Sequence, residues 1–542
     1  MTRHIPIPTP VNEPVHDYAP GSHDRVTLKA KLAELSGSQI EIPLMIGGKE
    51  VRTGRTKTAV MPHAHRHVLA TWHRAGGEEA RQAIAAATEA RREWASWRWE
   101  DRAAVFLRAA DMLATTWGDA LNAATMLGQS KTVHQAEIDA VCEIVDFWRF
   151  NVHFANRLYA DQPISERGLW NRLDYRPLEG FVFAVTPFNF TSIGANLPTA
   201  PAIMGNTVVW KPASTAVYSG YYIYKLLDQA GLPPGVINFL PGDAGAISSA
   251  VLPHPDLAGV HFTGSTRVFQ EMWRTVGASI GQYRSYPRLV GETGGKDFIL
   301  AHPSANRAAL LTAIVRGAYE YQGQKCSAAS RLYLPESIWR AVREELIEAI
   351  RGIAMGDIAD FRNFMGAVID KAAFDTMVDY IGHAKASADA ELLAGGGCDE
   401  REGYFVQPTL IRAKKPDYRS MCEEIFGPVL TLYVYPDKDW DAILRTVDGT
   451  SPYALTGAVF SDDRRATIQA MHELRYAAGN FYLNDKPTGA VVGQQPFGGA
   501  RASGTNDKAG SVLNLVRWIS ARSIKENYMP PTSYRYPYMG AE

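Results

Sequence analysis

Two patterns of hydrophobic and polar positions alternate along the chain. In the first, apolar residues recur every three or four positions and alanine is frequent, which predicts amphipathic helices over 77–97, 102–118 and 137–156. The second pattern starts at Gly180, where short apolar runs alternate with helical stretches. That alternation is typical of βαβ units around a parallel sheet. The runs that predict its strands are 180–185, 207–210, 236–239 and 259–262.

A second zone of the same kind begins at Phe298 and continues to about Phe481. We therefore predict two α/β domains that meet at Lys296 and Asp297, where we expect a hinge. The segment 525–542 is rich in Tyr and Pro and predicts an extended tail.

Charge and hydropathy exclude two broad classes of partner. The 542 residues include 56 basic and 57 acidic side chains, so there is no basic excess with which to hold nucleic acid irrespective of its sequence. No apolar run approaches the ~18 residues of a membrane span. The hydrophobic share of 46% and the charged share of 21% are ordinary for globular domains. We therefore expect neither nucleic acid nor a membrane as a partner.

The N-terminus and the cysteines bear on the compartment. Residues 1–24 form no apolar signal core and no Arg- and Ser-rich presequence, and we expect an arm on the surface or on a partner subunit. Four cysteines in a chain of this length are too few for a disulfide scaffold, and none forms a CxxC pair. A reducing compartment fits best, and we predict a cytoplasmic protein. The cysteines are Cys142, Cys326, Cys398 and Cys422.

Three histidines at alternate positions, His63, His65 and His67, raise the question of a metal site. Residues two apart in a strand share a face, so the three imidazoles would lie together. No carboxylate or cysteine nearby in the sequence completes a ligand set for zinc. We interpret the run as a solvated strand edge, with adventitious metal binding as the alternative, and we predict no metal.

Two short segments provide a candidate nucleophile and a candidate base. Cys326 lies between Lys325 and Ser327, and a thiol near a lysine and backbone N–H groups can have a lowered pKa. Glu292 precedes Thr293 and two glycines, where backbone can approach closely and a carboxylate can act as general base on water. Taken singly, a buried structural cysteine and a surface turn explain these segments as well.

Two further turns suit an oxyanion and a phosphate. Asn189 follows the first apolar run, and its amide could donate to an oxyanion while Phe188 and Phe190 wall a pocket. Gly264 and Ser265 follow the last run and open a helix, whose free N–H groups attract a phosphate. No GxGxxG fingerprint occurs. Each turn alone is explained equally well by an ordinary strand end.

Six motifs are weak evidence one by one, but their order along the chain is specific. Through these motifs and their order, the sequence resembles the aldehyde dehydrogenase superfamily from about 42 to 523, and the separation of 34 positions between Glu292 and Cys326 matches as well. The resemblance implies an α/β fold with a Rossmann-type NAD-binding domain, an α/β catalytic domain and a β-flap arm for oligomerisation. The motifs are PFNF (187–190), WKPA (210–213), FTGST (262–266), GETGGK (291–296), GQKCSAASR (323–331) and EEIFGPV (423–429).

The resemblance implies a role for each catalytic candidate. Cys326 attacks the aldehyde carbon, while the Asn189 amide and the Cys326 backbone N–H stabilise the oxyanion. Hydride transfer to the nicotinamide leaves a thioester, which Glu292 hydrolyses by activating water. Splitting the oxidation into acylation and hydrolysis gives two easier steps.

NAD is the cofactor that the resemblance implies. Lys211 would bond the adenine ribose, Ser265 the pyrophosphate, and Glu424 with Phe426 the nicotinamide ribose. The predicted cofactor contacts are Thr186, Pro187, Phe188, Lys211, Ser214, Gly264, Ser265, Thr293, Gly294, Glu424 and Phe426.

Three positions depart from the pattern of many relatives. Thr293 and Phe269 stand where many have Leu and Gly. Ser214 stands where many NAD-selective relatives have Glu, which weakens the predicted preference for NAD over NADP because no fixed charge repels a 2′-phosphate.

Three stretches, 136–150, 188–194 and 493–508, resemble one branch of the family. This branch oxidises L-glutamate γ-semialdehyde, the open form of Δ1-pyrroline-5-carboxylate, to L-glutamate in the last step of proline breakdown. The implied substrate contacts are Ser327 and the backbone of Gly489 and Ala490 for the carboxylate, Phe190 and Phe497 for the methylene chain, and Glu143 for the ammonium.

The resemblance also implies domain boundaries and partners. A homodimer or higher homo-oligomer is expected, with transient contact with proline dehydrogenase, to which some bacterial relatives are fused; we expect the unfused form here. The predicted parts are an N-terminal arm (1–40), an NAD-binding domain (41–160 and 180–296), a catalytic domain (297–499), and an oligomerisation flap with the C-terminal tail (161–179 and 500–542).

Three other functions stay open. The nearest alternative is an NAD(P)-dependent dehydrogenase of another semialdehyde or of an aliphatic aldehyde. A non-catalytic scaffold would be expected to lose Cys326, Glu292 or Asn189, yet all three are present. A CoA-dependent acylating enzyme is disfavoured because Glu292 is retained for hydrolysis.

Overall fold

Two seven-stranded sheets organise the computed structural model, which describes residues 7–542. The first six residues of the predicted N-terminal arm lie outside the described residues. In sheet order, the strands of the first sheet are Arg288–Glu292, Leu257–Thr263, Phe181–Val185, Thr207–Lys211, Ile237–Phe239, Leu44–Ile46 and Lys49–Val51. Those of the second are Ala390–Ala394, Thr409–Ala413, Val429–Tyr435, Ala329–Pro335, Asp297–Ala301, Thr456–Phe460 and Asn480–Leu483.

The first sheet is doubly wound. Its five parallel strands lie in the order fifth, fourth, first, second, third along the chain. The order reverses between Phe181–Val185 and Leu257–Thr263, and ligands of such sheets bind beyond the carboxyl ends of the strands at this reversal. All four predicted apolar runs form strands, and they are buried because helices cover both faces of a parallel sheet.

The second sheet has six parallel strands and an antiparallel edge, Ala390–Ala394. The connection between the sheets is packed, which corrects the expectation of a free hinge. Lys296 and Asp297 are 1% and 2% exposed, and Arg331 Nε donates to the Lys296 carbonyl at 2.7 Å. Burial lowers the pKa of Lys296 to about 7 and raises the pKa of Asp297 to about 8.

Helices form where the apolar spacing predicts them, although their bounds differ. The segment 102–118 begins earlier, as Trp99–Met112, and the segment 137–156 is part of a longer helical stretch. Wider helical turns interrupt both, at Leu113–Trp117 and Glu137–Glu143, and such turns shift the direction of the side chains that follow. Across residues 7–542, no helix combines the length and the apolar character needed to cross a membrane.

The helices of the first half are His23–Ser36, Gly77–Ser96, Trp99–Met112, Gly118–Gln129, Val133–Ala136, Ile144–Ala160, Thr191–Ile203, Val217–Gln229, Ala244–Val251 and Thr266–Ala278. Those of the second half are Arg307–Tyr319, Glu336–Arg351, Lys371–Ala386, Arg419–Cys422, Trp440–Gly449, Arg464–Glu473 and Val512–Leu515. Short 3₁₀ turns occur at Ser214–Ala216, Ile280–Gln282, Glu320–Gly323, Val516–Trp518 and Pro537–Met539.

Four small sheets complete the fold. One has three strands, and the others are strand pairs. They are Ile40–Ile42 with Ala64–His73 and Thr56–Met61; Cys398–Asp399 with Phe405–Val406; Tyr453–Ala454 with Ala500–Arg501; and Leu169–Pro177 with Ile519–Asn527.

The predicted flap and arms are only partly separate from the body. Leu169–Pro177 and Ile519–Asn527 pair along their full length as a two-stranded flap. Residues 500–518, assigned to the flap and tail from the sequence, instead pack into the body, where Trp518 is fully buried. The N-terminal part likewise includes a helix, His23–Ser36, with a buried apolar face. The predicted tail begins inside the flap strand and is exposed beyond it.

The three histidines at alternate positions do not share a face. His63 lies in the turn before the strand Ala64–His73 and is buried, while His65 and His67 lie on the strand. Burial lowers the pKa of His63 to about 4, which favours the neutral ring. Within the described residues, no group of three or more His, Cys, Asp or Glu side chains is arranged to hold a metal.

A buried ion pair joins three elements of the first half. Lys131 Nζ donates to Asp139 Oδ2 at 2.6 Å, and both side chains are fully buried. Asp139 also accepts from the backbone N–H groups of Thr191 and Ser192, the first residues of the helix Thr191–Ile203, at 2.9 and 2.8 Å. The carboxylate thus caps a helix end whose N–H groups have no partner within the helix.

Asp139→Asn is expected to lower the apparent free energy of unfolding by about 3–5 kcal/mol, because it leaves the Lys131 charge buried without a counter-charge. Urea titration followed by circular dichroism measures the change. Asp111→Asn, which removes an exposed ion pair with Arg149, is the matched control and should stay near wild type. Equal shifts in the two variants would contradict a special role for the buried pair.

Candidate active site

The carboxyl ends of four neighbouring strands of the first sheet carry predicted site residues. Glu292 ends one strand, and Gly264 with Ser265 follows the next. Thr186 follows the third, and Lys211 ends the fourth. The residues were assigned from separate motifs, and the strand order of the sheet brings them to one edge.

The second sheet presents its opposite edge to the same region. Cys326 lies just before the amino end of Ala329–Pro335, after a chain reversal in which Tyr321, Gln322 and Gly323 all have positive φ. The Gln322 side chain fixes this conformation, since its amide donates to the carbonyls of Ser130 and Ala367 at 3.0 and 2.7 Å. The loop that carries Cys326 is therefore held by contacts to both halves of the chain.

A cavity of about 810 Å³ lies between the two edges. Eight of the residues predicted for catalysis or substrate binding line it together. They are Cys326, Glu292, Ser327, Gly489, Ala490, Phe190, Phe497 and Glu143.

The Cys326 thiol has a raised pKa, which favours its protonated form. Burial is the main cause, and the nearby carboxyl groups of Asp297, Glu292 and Glu424 raise the pKa further. The sequence context predicts the opposite direction, because Lys325 is next in sequence. In the structure, Lys325 is buried in an ion pair with Glu320 at 3.0 Å, so its charge is already neutralised. A thiolate here requires a base or a bound cation.

Glu292 is a base candidate with a raised pKa. Burial raises the pKa well above the usual value, although a hydrogen bond from the Gly499 backbone and the charge of Lys508 lower it in part. Gly499 N donates to Glu292 Oε2 at 2.7 Å. A carboxyl group whose pKa is moved towards neutrality suits proton transfer at neutral pH.

Asn189 reaches the loop that carries Cys326 from the first sheet. It is buried, and its side-chain Nδ2 donates to the Gln324 carbonyl at 3.1 Å. Gln324 is two residues before Cys326 and is itself fixed by a hydrogen bond from Ile369 N to its side chain at 2.9 Å. The amide nitrogen carries a second hydrogen, which is the donor that an oxyanion would use.

The predicted carboxylate site contains one residue that the sequence reasoning missed. Ser327 Oγ and Thr488 Oγ1 lie 2.8 Å apart, and both side chains are buried. Thr488 directly precedes Gly489, whose φ is +92°. Its signal in the sequence was its place in the turn that contains Gly489 and Ala490. Two hydroxyl groups and a glycine turn thus form one wall of the cavity.

Glu143, predicted to meet the substrate ammonium, is not a simple anion. Its Oε2 accepts from Ser192 Oγ at 2.9 Å. Burial and the nearby Asp139 charge raise the pKa of Glu143 to about 8. At neutral pH most of this carboxyl is protonated, and a bound ammonium would favour its ionised form.

The predicted cofactor contacts form a cradle along the first sheet. Lys211 is buried, burial lowers its pKa, and its ammonium has no hydrogen-bond partner among residues 7–542, so it suits ribose hydroxyls. The Ser265 side chain makes no capping bond to the helix Thr266–Ala278, whose N-terminal N–H groups can receive a phosphate. These features fit a dinucleotide.

The opposite side of the cradle comes from the second half of the chain. Glu424 Oε1 accepts from the Gly295 backbone at 2.9 Å, and a side chain at Gly294 would collide with Glu424. Phe426 has a strained φ of +60°, and its ring packs edge-on against Phe188 with centroids 5.8 Å apart. The family-based contacts at these positions therefore lie where both halves of the chain meet.

A family model for the aldehyde dehydrogenase family matches residues 51–522. The chain belongs to this family. Delta-1-pyrroline-5-carboxylate dehydrogenase, mitochondrial, from Dictyostelium discoideum is 53% identical over 98% of this chain and 96% of the relative. The family and the α/β fold predicted from the motifs are thereby confirmed.

Comparison with solved structures supports the same family and the same fold. The Delta-pyrroline-5-carboxylate dehydrogenase from Mycobacterium tuberculosis bound with NAD is 54% identical, with a TM-score of 0.96 and 100% of both chains covered. Proline utilization A from Bdellovibrio bacteriovorus is 30% identical, with a TM-score of 0.91 over 96% of this chain and 54% of that one.

The departures from the aldehyde dehydrogenase pattern have structural reasons in two cases. Phe269 stacks on Phe262 with centroids 5.3 Å apart and covers Gly291, where any side chain would collide with its ring. Thr293 Oγ1 donates to the Ala502 carbonyl at 2.6 Å, so this hydroxyl is already used inside the protein. Ser214 is exposed, and nothing in the structure explains its departure from the pattern.

Alkylation of Cys326 by iodoacetamide is expected to accelerate about tenfold per pH unit between pH 6 and 9, because only the thiolate reacts and burial keeps the thiol pKa above this range. Mass spectrometry of the labelled peptide measures the rate. The Cys326→Ala variant should leave labelling of the exposed Cys398 unchanged. A plateau below pH 8 would contradict the raised pKa.

Proposed function

We propose that the protein oxidises L-glutamate γ-semialdehyde, the open form of Δ1-pyrroline-5-carboxylate, to L-glutamate with NAD as the oxidant. One observation carries the proposal: Cys326 shares a cavity wall with Ser327, Thr488 and the Gly489 turn. A reactive thiol and a set of donors for a carboxylate at one site match a substrate with an aldehyde at one end and a carboxylate at the other. The names of the relatives support the same substrate.

The reaction begins at Cys326. Its proton moves to a base, its sulfur bonds to the aldehyde carbon, and the carbonyl oxygen gains the negative charge of a thiohemiacetal. The Asn189 amide and the Cys326 N–H are the donors for that oxygen, and a preorganised donor of this kind contributes about 2.7–4 kcal/mol. Lys211, Ser265 and their neighbours along the first sheet would hold NAD, which would supply the hydride acceptor, and a thioester would then remain on Cys326.

Glu292 completes the cycle by hydrolysis. Its carboxylate removes a proton from water, the water oxygen bonds to the thioester carbon, and the sulfur leaves as the thiol of Cys326. The product carboxylate carries the new oxygen. A raised pKa is suited to this step because a stronger base removes the water proton more readily.

The carboxylate end selects the substrate. All aldehydes present the same group to Cys326, so selection depends on the far end of the chain. Ser327, Thr488 and the backbone at Gly489 and Ala490 offer donors in a partly buried setting, and charge-assisted hydrogen bonds are worth about 1.5–3 kcal/mol. Substrates without a carboxylate leave these donors unpaired, which penalises their binding.

Partners and compartment are part of the proposal. A second copy of the chain is supported by the two-stranded flap and by the exposed aromatic tail, including Tyr528 and Tyr534. Transient contact with proline dehydrogenase is supported by the likeness to proline utilization A from Bdellovibrio bacteriovorus. The cytoplasm is supported by four unpaired cysteines, which any reducing compartment permits; the Dictyostelium relative is named as mitochondrial.

Cys326→Ala and Glu292→Gln are expected to fail at different steps. Cys326→Ala removes covalent catalysis, so NADH formation should fall by several orders of magnitude while NAD still binds. Glu292→Gln should keep a single-turnover burst of NADH while the steady rate falls about 10²-fold or more. Stopped-flow absorbance measures both phases. Turnover of Cys326→Ala above about 1% of wild type, or equal losses of burst and steady rate in Glu292→Gln, would overturn these roles.

Ser327→Ala is expected to lower kcat/KM for glutamate semialdehyde by about 10- to 150-fold and to leave an uncharged aliphatic aldehyde of similar length almost unchanged. Steady-state NADH formation with both substrates measures the contrast. Glutamate should compete with the substrate in wild type, since it carries the same carboxylate. A wild-type preference for the uncharged aldehyde would move the function to a general aldehyde dehydrogenase.

A further inference from the structure

Residues 12–18, which we name the N-terminal strap, form part of the wall of the substrate cavity. Asn12, Glu13 and Val15 line the same cavity as Cys326 and Ser327. The sequence predicts an arm on the surface or on a partner subunit here. In the structure, the strap packs against other segments of the same chain and reaches the loop that follows Ala490.

Asn12 connects two walls of the cavity. Its Nδ2 donates both to Asp146 Oδ2 and to the Val492 carbonyl, each at 2.8 Å. Its Oδ1 accepts from Gln494 Nε2 at 2.9 Å. Asp146 lies on the helix Ile144–Ala160, so one side chain joins that helix to the loop.

The strap is held at two separate places, and the contacts of Glu13 are the ones that hold Asn12. Glu13 N donates to Asp146 Oδ1 at 2.8 Å, and Arg149 Nη1 donates to Glu13 Oε2 at 2.5 Å. At its other end, Tyr18 OH donates to Glu137 Oε2 at 2.8 Å, and Tyr18 is buried. These contacts fix both ends of the strap to residues 137–149.

The loop after Thr488 is held by bonds of its own as well as by contacts from outside it. Within it, the backbone N–H groups of Gln494 and Gln495 both donate to the Val491 carbonyl at 3.0 Å. Gly489 and Gly493 both have positive φ, and Gly489 and Val491 are exposed. A backbone with two such glycines has more conformations available than an ordinary loop. Asn12 adds a restraint from outside the loop, through the backbone carbonyl of Val492 and the side chain of Gln494.

We propose that Asn12 is a positioning residue that holds the loop 489–494 in the geometry needed to receive the substrate carboxylate. The proposal rests on the proposed function for the identity of the substrate. Asn12 acts through the loop, and it determines how tightly an anionic substrate binds, whereas the chemistry at Cys326 is independent of it. The N-terminal strap thus contributes to substrate specificity, although it lies at the opposite end of the sequence from the loop.

The test compares Asn12→Ala and Asn12→Asp with Tyr18→Phe. Asn12→Asp keeps the size of the side chain and removes both N–H donors, while Tyr18→Phe weakens the strap at its far end. Loss of the Asn12 bonds should raise KM for glutamate semialdehyde about tenfold, with kcat within about twofold of wild type. The uncharged aldehyde should keep its wild-type constants, and Tyr18→Phe should lower thermal stability while leaving both KM values unchanged.

Hydrogen exchange gives a readout that is independent of the substrate. Amides in 489–494 should exchange faster in both Asn12 variants than in wild type or Tyr18→Phe, in the absence of any ligand. Unchanged exchange in this loop, or equal loss of kcat for both aldehydes, would overturn the proposal. If exchange rises but wild type does not prefer glutamate semialdehyde, the positioning of the loop stands and the proposed substrate fails.

Discussion

The buried pair of Lys131 and Asp139 is the interaction on which the site geometry depends. Asp139 holds the start of the helix that follows Asn189 and Phe190, while the Lys131 ammonium lies 4.3 Å and 4.5 Å from the ring centres of Phe190 and Tyr321. The ammonium therefore packs against both the residue that follows Asn189 and the loop that precedes Cys326. Buried pairs of this kind stabilise poorly against an apolar replacement, but they impose one arrangement once formed. The positions of residues in the candidate site therefore depend on an ion pair that itself contacts no reactant.

The same burial sets the electrostatics of the cavity. Cys326 and Glu292 both have raised pKa values because the two sheet edges exclude water from them. Raised pKa values favour the protonated form of both groups, so each must lose a proton before it can act as a nucleophile or a base. Lys325 does not activate the thiol, since Glu320 already pairs with it. The reactive state therefore depends on what enters the cavity as well as on its fixed neighbours.

Much of the fold and of the site could be predicted from local sequence. Apolar runs locate the parallel strands because those strands are buried on both faces, and the six motifs place Cys326, Glu292 and Asn189 in a family with a known order. The histidine pattern did not predict that His63 lies in a turn and is buried, because periodicity alone does not reveal where a strand begins. Thr488 and Asn12 escaped because their partners lie 161 and 480 positions away, and no local pattern encodes such contacts.

These large separations in sequence have a consequence for the chain while it is being synthesised. Glu292 bonds to a backbone 207 positions later, and Asn12 bonds to one 480 positions later. Contacts of such long range form late, because a large loop must close before they stabilise anything. During synthesis from the N-terminus, the first sheet and its dinucleotide cradle emerge well before residues 489–508. A ribosome-bound chain therefore contains Cys326 before the cavity is complete, and the wall that we propose for the substrate carboxylate forms only when the last tenth of the protein has been made.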